Sequence, residues 1–188
     1  QLLEFLNKDI IPYVPRIGSL GASGDLAPLS HMALALLGEG YVLDQNGAPA
    51  PTEAVLREHG LIGIKLGAKD GLSLINGTSQ MLAFMTLAER RLSSLLPLAD
   101  LILCTSMEAR KASIQPSDPR VHDARPHPGQ SLVPKRIRSL MVKSEILYSH
   151  ADCERVQDAY SFRCAPQVHG AVLQKYTAML ETLTIELN

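Results

Sequence analysis

Cysteine is scarce. Cys104, Cys153 and Cys164 are too few and too irregularly spaced for a disulfide framework or a paired-cysteine metal site, and a reducing cytoplasm is the expected setting. An excess of either charge is also lacking: 18 Lys+Arg against 19 Asp+Glu give a net charge of -1 and a pI near 6.7. Such a chain has no general field for holding phosphate backbones or acidic membranes, so neither nucleic acid nor membrane is an expected partner. No run approaches the roughly 20 uninterrupted apolar residues of a membrane span, and no basic segment followed by an apolar run opens the chain as a signal peptide would. Aromatic residues make up only 4%, with no tryptophan. There is no fixed-period repeat and no low-complexity tract.

What remains is globular. Hydrophobic residues are 46% and charged residues 20%, which excludes a disordered tail or a fibrous repeat. At 188 residues and 20.4 kDa the chain makes one domain or a little more. It hides roughly 70% of the surface its unfolded form exposes, so neither a metal nor a disulfide is needed for folding. Gln1 to Leu6 is already apolar at helical spacing without an N-cap or an initiator Met, and the pattern Val168, Ala171, Val172, Tyr176, Met179, Leu180, Leu183, Leu187 runs on without a stop. The expectation is the middle of a larger protein.

Between the ends, Gly18 to Gly24 predicts a tight loop feeding a helix that opens at Asp25, with Asp25 or Ser23 as its cap. Tyr41-Val42-Leu43 followed by Asp44, Asn46 and Gly47 predicts a short strand and turn, and Thr52 is placed as the N-cap of a brief helix ending at Gly60. A Gly-rich passage leads into a long helix from Met81 to Leu103 that Pro97 is expected to kink or divide. The Pro-rich segment 115–129 is expected to be irregular, Ser131 to cap a helix reaching Lys143, 157–164 to form a loop, and Pro166 to sit in the first turn of the last helix. The class is mainly α, a long-helix bundle with a small peripheral strand and turn element.

Gly21-Ala22-Ser23-Gly24-Asp25 admits two readings. In one it is a flexible turn with a capping residue. In the other the Gly24 amide nitrogen attacks the Ala22 carbonyl carbon, closing a five-membered imidazolone with loss of water, and loss of a second water from Ser23 leaves an exocyclic methylidene. Small residues at Ala22 and Gly24 let the backbone fold onto itself. The product is a carbon electrophile made without an external cofactor, and the N-terminus of the following helix strengthens it.

The stretch Gly18-Ser-Leu-Gly-Ala-Ser-Gly-Asp-Leu-Ala-Pro-Leu-Ser-His31 closely resembles the signature of the aromatic amino acid ammonia-lyases, the histidine, phenylalanine and tyrosine lyases with their related aminomutases. The resemblance continues through residues 67–78, 125–130 and 155–170, in the family's order and over nearly the whole chain. It implies a carbon-nitrogen lyase that eliminates ammonia from an aromatic L-amino acid to give an arylacrylate. Its prosthetic group would be 4-methylideneimidazol-5-one (MIO), formed autocatalytically from Ala22, Ser23 and Gly24. The family pattern further makes Asn76, Gln157 and Arg163 substrate-binding residues, Arg163 gripping the carboxylate with its planar fork, and gives Tyr160 a part in proton transfer or cyclisation. Phe162 stands where the family more often has Leu, a packing variation.

The same resemblance implies a homotetramer whose sites draw on three subunits. It makes residues 1–188 the central part of a lyase, without the N-terminal loop that bears the β-proton base or the C-terminal helices, so that this piece alone is expected to be inactive. Two competing readings are an assembly piece with no formed ring and a hydrolase using Ser23 with His31 or His169; a 2,3-aminomutase lies within the family itself. Gly-Ala-Ser-Gly is not the hydrolase elbow. His122 and His127, five apart without a third ligand, do not suggest zinc, Gly38-Glu-Gly40 lacks a dinucleotide fingerprint, and the basic run 135–143 reads as the wet face of a helix.

Overall fold

A computed structural model describes residues 1–21 and 24–188; Ala22 and Ser23, the expected ring precursors, lie outside the described residues. The chain divides into two compact units, Gln1–Phe84 and Met85–Asn188.

The first unit holds α1 (Leu2–Asn7), α2 (Leu26–Leu37), β1 (Tyr41–Leu43), β2 (Pro49–Pro51), α3 (Thr52–Glu58) and α4 (Asp70–Ile75), and α5 (Ser79–Ala109) begins within it. β1 and β2 pair antiparallel with Val42 opposite Ala50. Their turn is built by Asp44, whose carboxylate accepts the amides of Asn46 and Ala48, each at 2.8 Å. Phe5, Ile10, Ala35, Leu36, Val42 and Leu56 form the core, so α2 and α3 bury one face each against the hairpin. Burying each large side chain contributes roughly 1.5–3 kcal/mol.

Thr52 is not the N-cap of α3. Pro51 holds that position, and Thr52 is the first helical residue, fully buried, with its amide donating to the Gly40 carbonyl at 3.1 Å. The hairpin supplies the acceptor that a side-chain cap would otherwise replace. Asp25 does occupy the N-cap of α2, yet its carboxylate makes no cap bond and instead accepts from the Ser19 hydroxyl.

The second unit contains most of α5 and then a 3₁₀ turn (Gln115–Ser117), α6 (Pro119–Asp123), α7 (Pro128–Leu140), α8 (Glu145–Tyr148), α9 (Tyr160–Arg163) and α10 (Ala165–Leu187). Cys104, Met107, Ala112, Val133, Ile137 and Met141 make its core, with Phe162 and Leu173 packed against them. Phe162 thus does serve packing. Pro97 does not divide α5: it sits on an exposed face, where the carbonyl it leaves unpaired can bond water, and the ladder continues on both sides. Ser131 does not cap α7 either. Pro128, its φ already helical, starts the helix directly after His127, and α7 stops at Leu140. Pro166 falls in the first turn of α10 as expected.

The segment 115–129 is more ordered than its prolines predict. Asp118 caps α6 by accepting the Arg120 amide at 2.9 Å. The Arg120 guanidinium also hydrogen-bonds the Asp118 carboxyl and holds it at about 2. His122, 2% exposed, bonds the Pro116 carbonyl through Nε2 and faces the Gln130 amide through Nδ1.

Among the described residues one stretch, Asp70–Ala109, is long and apolar enough by length and composition to cross a membrane, with a mean hydropathy of 1.3 in its most apolar window. The sequence expectation rested on an uninterrupted apolar run, which this is not. A central helix of a bundle has the same composition, and the buried Asp100 within α5 is paired rather than bare.

Candidate active site

The expected site residues fall into two groups, one in each unit. In the first unit the loop 18–25 meets the turn after α4. Gly24 has φ +114, and a Cβ placed on it would lie 3.1 Å from the Gly77 carbonyl oxygen. That combination admits glycine and strains any larger residue. The contact brings Gly24 beside Gly77, joining two of the sequence blocks that lie about 50 positions apart. Asn76 closes α4, its amide donating to the Leu72 carbonyl at 3.0 Å. Its carboxamide is exposed and, among the described residues, bonds no protein group.

α2 starts immediately after Asp25, its N-cap, so the positive end of its dipole lies at the chain position that follows Gly24. Asp70 shapes the other side: its Oδ2 accepts the Gly67 amide at 2.7 Å at the entry to α4.

In the second unit, 157–164 is not wholly a loop, because Tyr160 opens and Arg163 closes the one-turn helix α9. Three residues apart, they share a face, and the Arg163 guanidinium carbon lies 5.3 Å from the Tyr160 ring centroid. Arg163 Nε donates to the Asp158 carbonyl at 3.1 Å. Its two terminal nitrogens bond no acceptor among the described residues. Gln157 and Arg163 line a cavity of about 390 Å³ together with Lys111, Gln115, His150 and Arg155. With Lys111, Arg155 and Arg163 on its walls against the single carboxylate of Asp158, this cavity suits an anionic group. Tyr160 is 70% exposed beside it.

Asp158, which the sequence did not single out, is the most heavily bonded residue of this segment. Its Oδ2 accepts the Ser113 amide at 2.7 Å and its Oδ1 accepts Arg155 Nη1 at 3.2 Å. No local pattern signals a partner 45 positions away.

A further polar cluster ties three helices. Asp100 of α5, 3% exposed, accepts His169 Nδ1 of α10 at 2.8 Å and Arg136 Nη1 of α7 at 3.4 Å, beside an apolar cavity of about 230 Å³. His169, one of the two histidines considered for a hydrolase, is therefore engaged with Asp100; Ser23 lies outside the described residues. Cys104, one turn beyond Asp100, is pushed up to about 11 by burial and by the nearby Asp100 and Glu108 charges. Among the described residues no group of three His, Cys, Asp or Glu side chains could hold a metal.

The whole chain, residues 1–188, matches the family described as aromatic amino acid lyase. It is 45% identical over 186 residues to a histidine ammonia-lyase of Myxococcus xanthus, covering 99% of this chain and 36% of that protein. Against human histidine ammonia-lyase the figures are 43% over 192 residues, 100% and 29%. Among solved structures, the phenylalanine aminomutase of Pantoea agglomerans superposes with a TM-score of 0.87 at 32% identity, covering 100% of this chain and 39% of that one. The histidine ammonia-lyase of Trypanosoma cruzi superposes at 0.81 with 41% identity, covering 98% and 33%. The chain thus spans about a third of the length of the curated relatives it matches. Matched from end to end in sequence and carrying the same mainly helical fold, the chain belongs to the aromatic amino acid lyase family.

Proposed function

We propose that the protein carrying this chain eliminates ammonia from an aromatic L-amino acid, with histidine as its substrate, and that residues 1–188 are the central part of that enzyme. The contact between Gly24 and Gly77 carries this reading, since it joins the last residue of the precursor triplet to the Asn76 block. Histidine is favoured over phenylalanine and tyrosine by the names of the curated relatives.

The site fits the family's prosthetic group on one observation: Gly24 occupies a conformation and a space that only glycine fills without strain, and glycine is the residue whose amide must turn back on Ala22. Ala22, Ser23 and Gly24 would form the group, with Asn76 beside it. When present, MIO supplies an electrophilic carbon that activates the substrate for loss of ammonia.

The chain's own side chains do the rest. Arg163 takes the substrate carboxylate on its two free terminal nitrogens, a bidentate grip that a lysine cannot reproduce. Gln157, on the same cavity wall, offers an amide to the bound anion. Asn76 orients the substrate with its free carboxamide. Tyr160 holds a proton at its phenolic oxygen and passes it during ring formation or turnover. The β-proton leaves to a base that we do not place within these residues, and the isolated chain is expected not to turn over. Balanced overall, the reaction breaks one C–N and one C–H bond and yields an arylacrylate and ammonia.

Exposed apolar residues on α5, Leu95, Leu98, Leu101 and Ile102, support self-association into the family's tetramer. The scarcity and irregular spacing of the three cysteines support a reducing, cytoplasmic setting. The test is to incubate the full-length protein with L-histidine, L-phenylalanine and L-tyrosine and to follow ammonia and the acrylate chromophore. Release from histidine is expected. Release of neither product from any of the three contradicts the reading, and accumulation of a β-amino acid favours the aminomutase.

A further inference from the structure

We propose that Asp158 is a positioning residue for substrate binding: its carboxylate pins the segment 157–163 to the chain leaving α5, and its carbonyl aims Arg163. This rests on the ammonia-lyase reading, in which Arg163 binds the substrate carboxylate.

The two ends of Asp158 do different work. Its side chain is 8% exposed and fully engaged, with Oδ2 on the Ser113 amide and Oδ1 on Arg155. Ser113 is a fixed donor, because Ala112 on one side is 1% exposed in the core and Ile114 on the other packs against that same core. Its main-chain oxygen meanwhile accepts Arg163 Nε. That bond uses the one guanidinium nitrogen that does not belong to the terminal fork. The position of the peptide at 158 therefore sets the direction of the fork.

Arg163 is held from its other neighbour as well, since Phe162 packs into the core. Rotation about the Arg163 side chain is left to be decided by the Asp158 carbonyl and by the Tyr160 ring beneath it. Asp158 also occupies Arg155, whose Nη1 further reaches the Arg110 carbonyl at 3.5 Å. With Arg155 so engaged, Arg163 is the guanidinium of the cavity wall left to the incoming carboxylate. Loss of the Asp158 carboxylate would orphan a fixed amide, and loss of its charge alone would free a second guanidinium to bind the substrate in the wrong place.

The carboxylate is not a reacting centre, so weakening its grip removes binding common to ground and transition states and moves KM rather than kcat. Asp158→Asn, which keeps one acceptor, is expected in the full-length protein to raise KM about tenfold with kcat within about threefold, and Asp158→Ala to raise it further. The inhibition constant of the acrylate product should rise by the same factor as KM, while helical circular dichroism and ring absorbance stay as in the wild type. An unchanged KM and inhibition constant overturns the proposal. So does a fall in kcat together with ring absorbance at constant KM, the signature of a merely structural role.

Should Asp158→Asn fail to fold, Arg155→Gln loosens one of the two grips and leaves the Ser113 bond. A smaller rise in KM is then expected, and none contradicts the proposal. A wild-type protein that releases no ammonia sinks the lyase reading and this inference with it. An active wild type whose KM the variants do not move sinks only the positioning role.

Discussion

Gly129 of α7 and Gly170 of α10 meet backbone to backbone. A Cβ on Gly129 would lie 2.0 Å from the Gly170 carbonyl oxygen, and one on Gly170 would lie 2.6 Å from the Gln130 nitrogen. The two helices cross at the closest distance their main chains allow, and α10 begins two residues after Arg163. The crossing therefore locates one end of the segment proposed to bind substrate. Gly170→Ala forces the helices apart and should cost roughly 1–3 kcal/mol or more, as other overpacked sites do. Chemical denaturation checks it: a lowered midpoint is expected, and an unchanged midpoint shows that the crossing relaxes freely.

Gly24→Ala introduces both a strained φ and a 3.1 Å contact with the Gly77 oxygen. An L-residue forced into such a conformation costs on the order of 1–3 kcal/mol. The variant should fold, because the core of the first unit lies in Phe5, Ile10, Ala35, Leu36, Val42 and Leu56, away from the loop. It should fail to form the ring. Normal helical circular dichroism with lost ring absorbance is the expected pair of results, and intact ring absorbance would show that glycine is not required there.

Cys104 and Cys153 should differ sharply in reactivity. Cys104 is buried and its thiol is held at about 11 against an ordinary 9.0, whereas Cys153 is exposed. Thiolate is the reactive form, so at pH 8 iodoacetamide should label Cys153 and leave Cys104 unmodified in the folded protein, read by peptide mass. The same shift has a defined sign for stability. An acid whose folded pKa is raised contributes stability in full below its unfolded value of 9.0, and that contribution is lost as pH rises through about 11. Rapid labelling of Cys104 at pH 8 would contradict this burial.

Local chemistry made part of the fold legible. The turn between β1 and β2 could be read because Asp44 and Gly47 each satisfy a local backbone requirement, and the start of α10 because Pro166 suits a first turn. Thr52 and Ser131 do not cap their helices and Pro97 leaves α5 undivided, because a neighbouring element or solvent meets the need that a local rule assigns to the residue itself. Gly40 supplies the acceptor at Thr52, exposure relieves Pro97, and Pro128 pre-empts Ser131. The site shows the same division. Asn76, Gln157, Tyr160 and Arg163 stand out because they sit in recognisable blocks. Asp158 lies within one of those blocks, yet its part is set by the Ser113 amide and the Arg155 guanidinium, and only the folded chain brings Ser113 to it.

The central claim is that Ala22, Ser23 and Gly24 condense their own backbone, and the most direct measurement is the intact mass of the purified full-length protein followed by peptide mapping. The account predicts a deficit of two water molecules confined to the peptide containing Leu20 to Asp25, abolished in Ser23→Ala. A full-length protein of unaltered mass that nevertheless releases ammonia from an aromatic amino acid would contradict it.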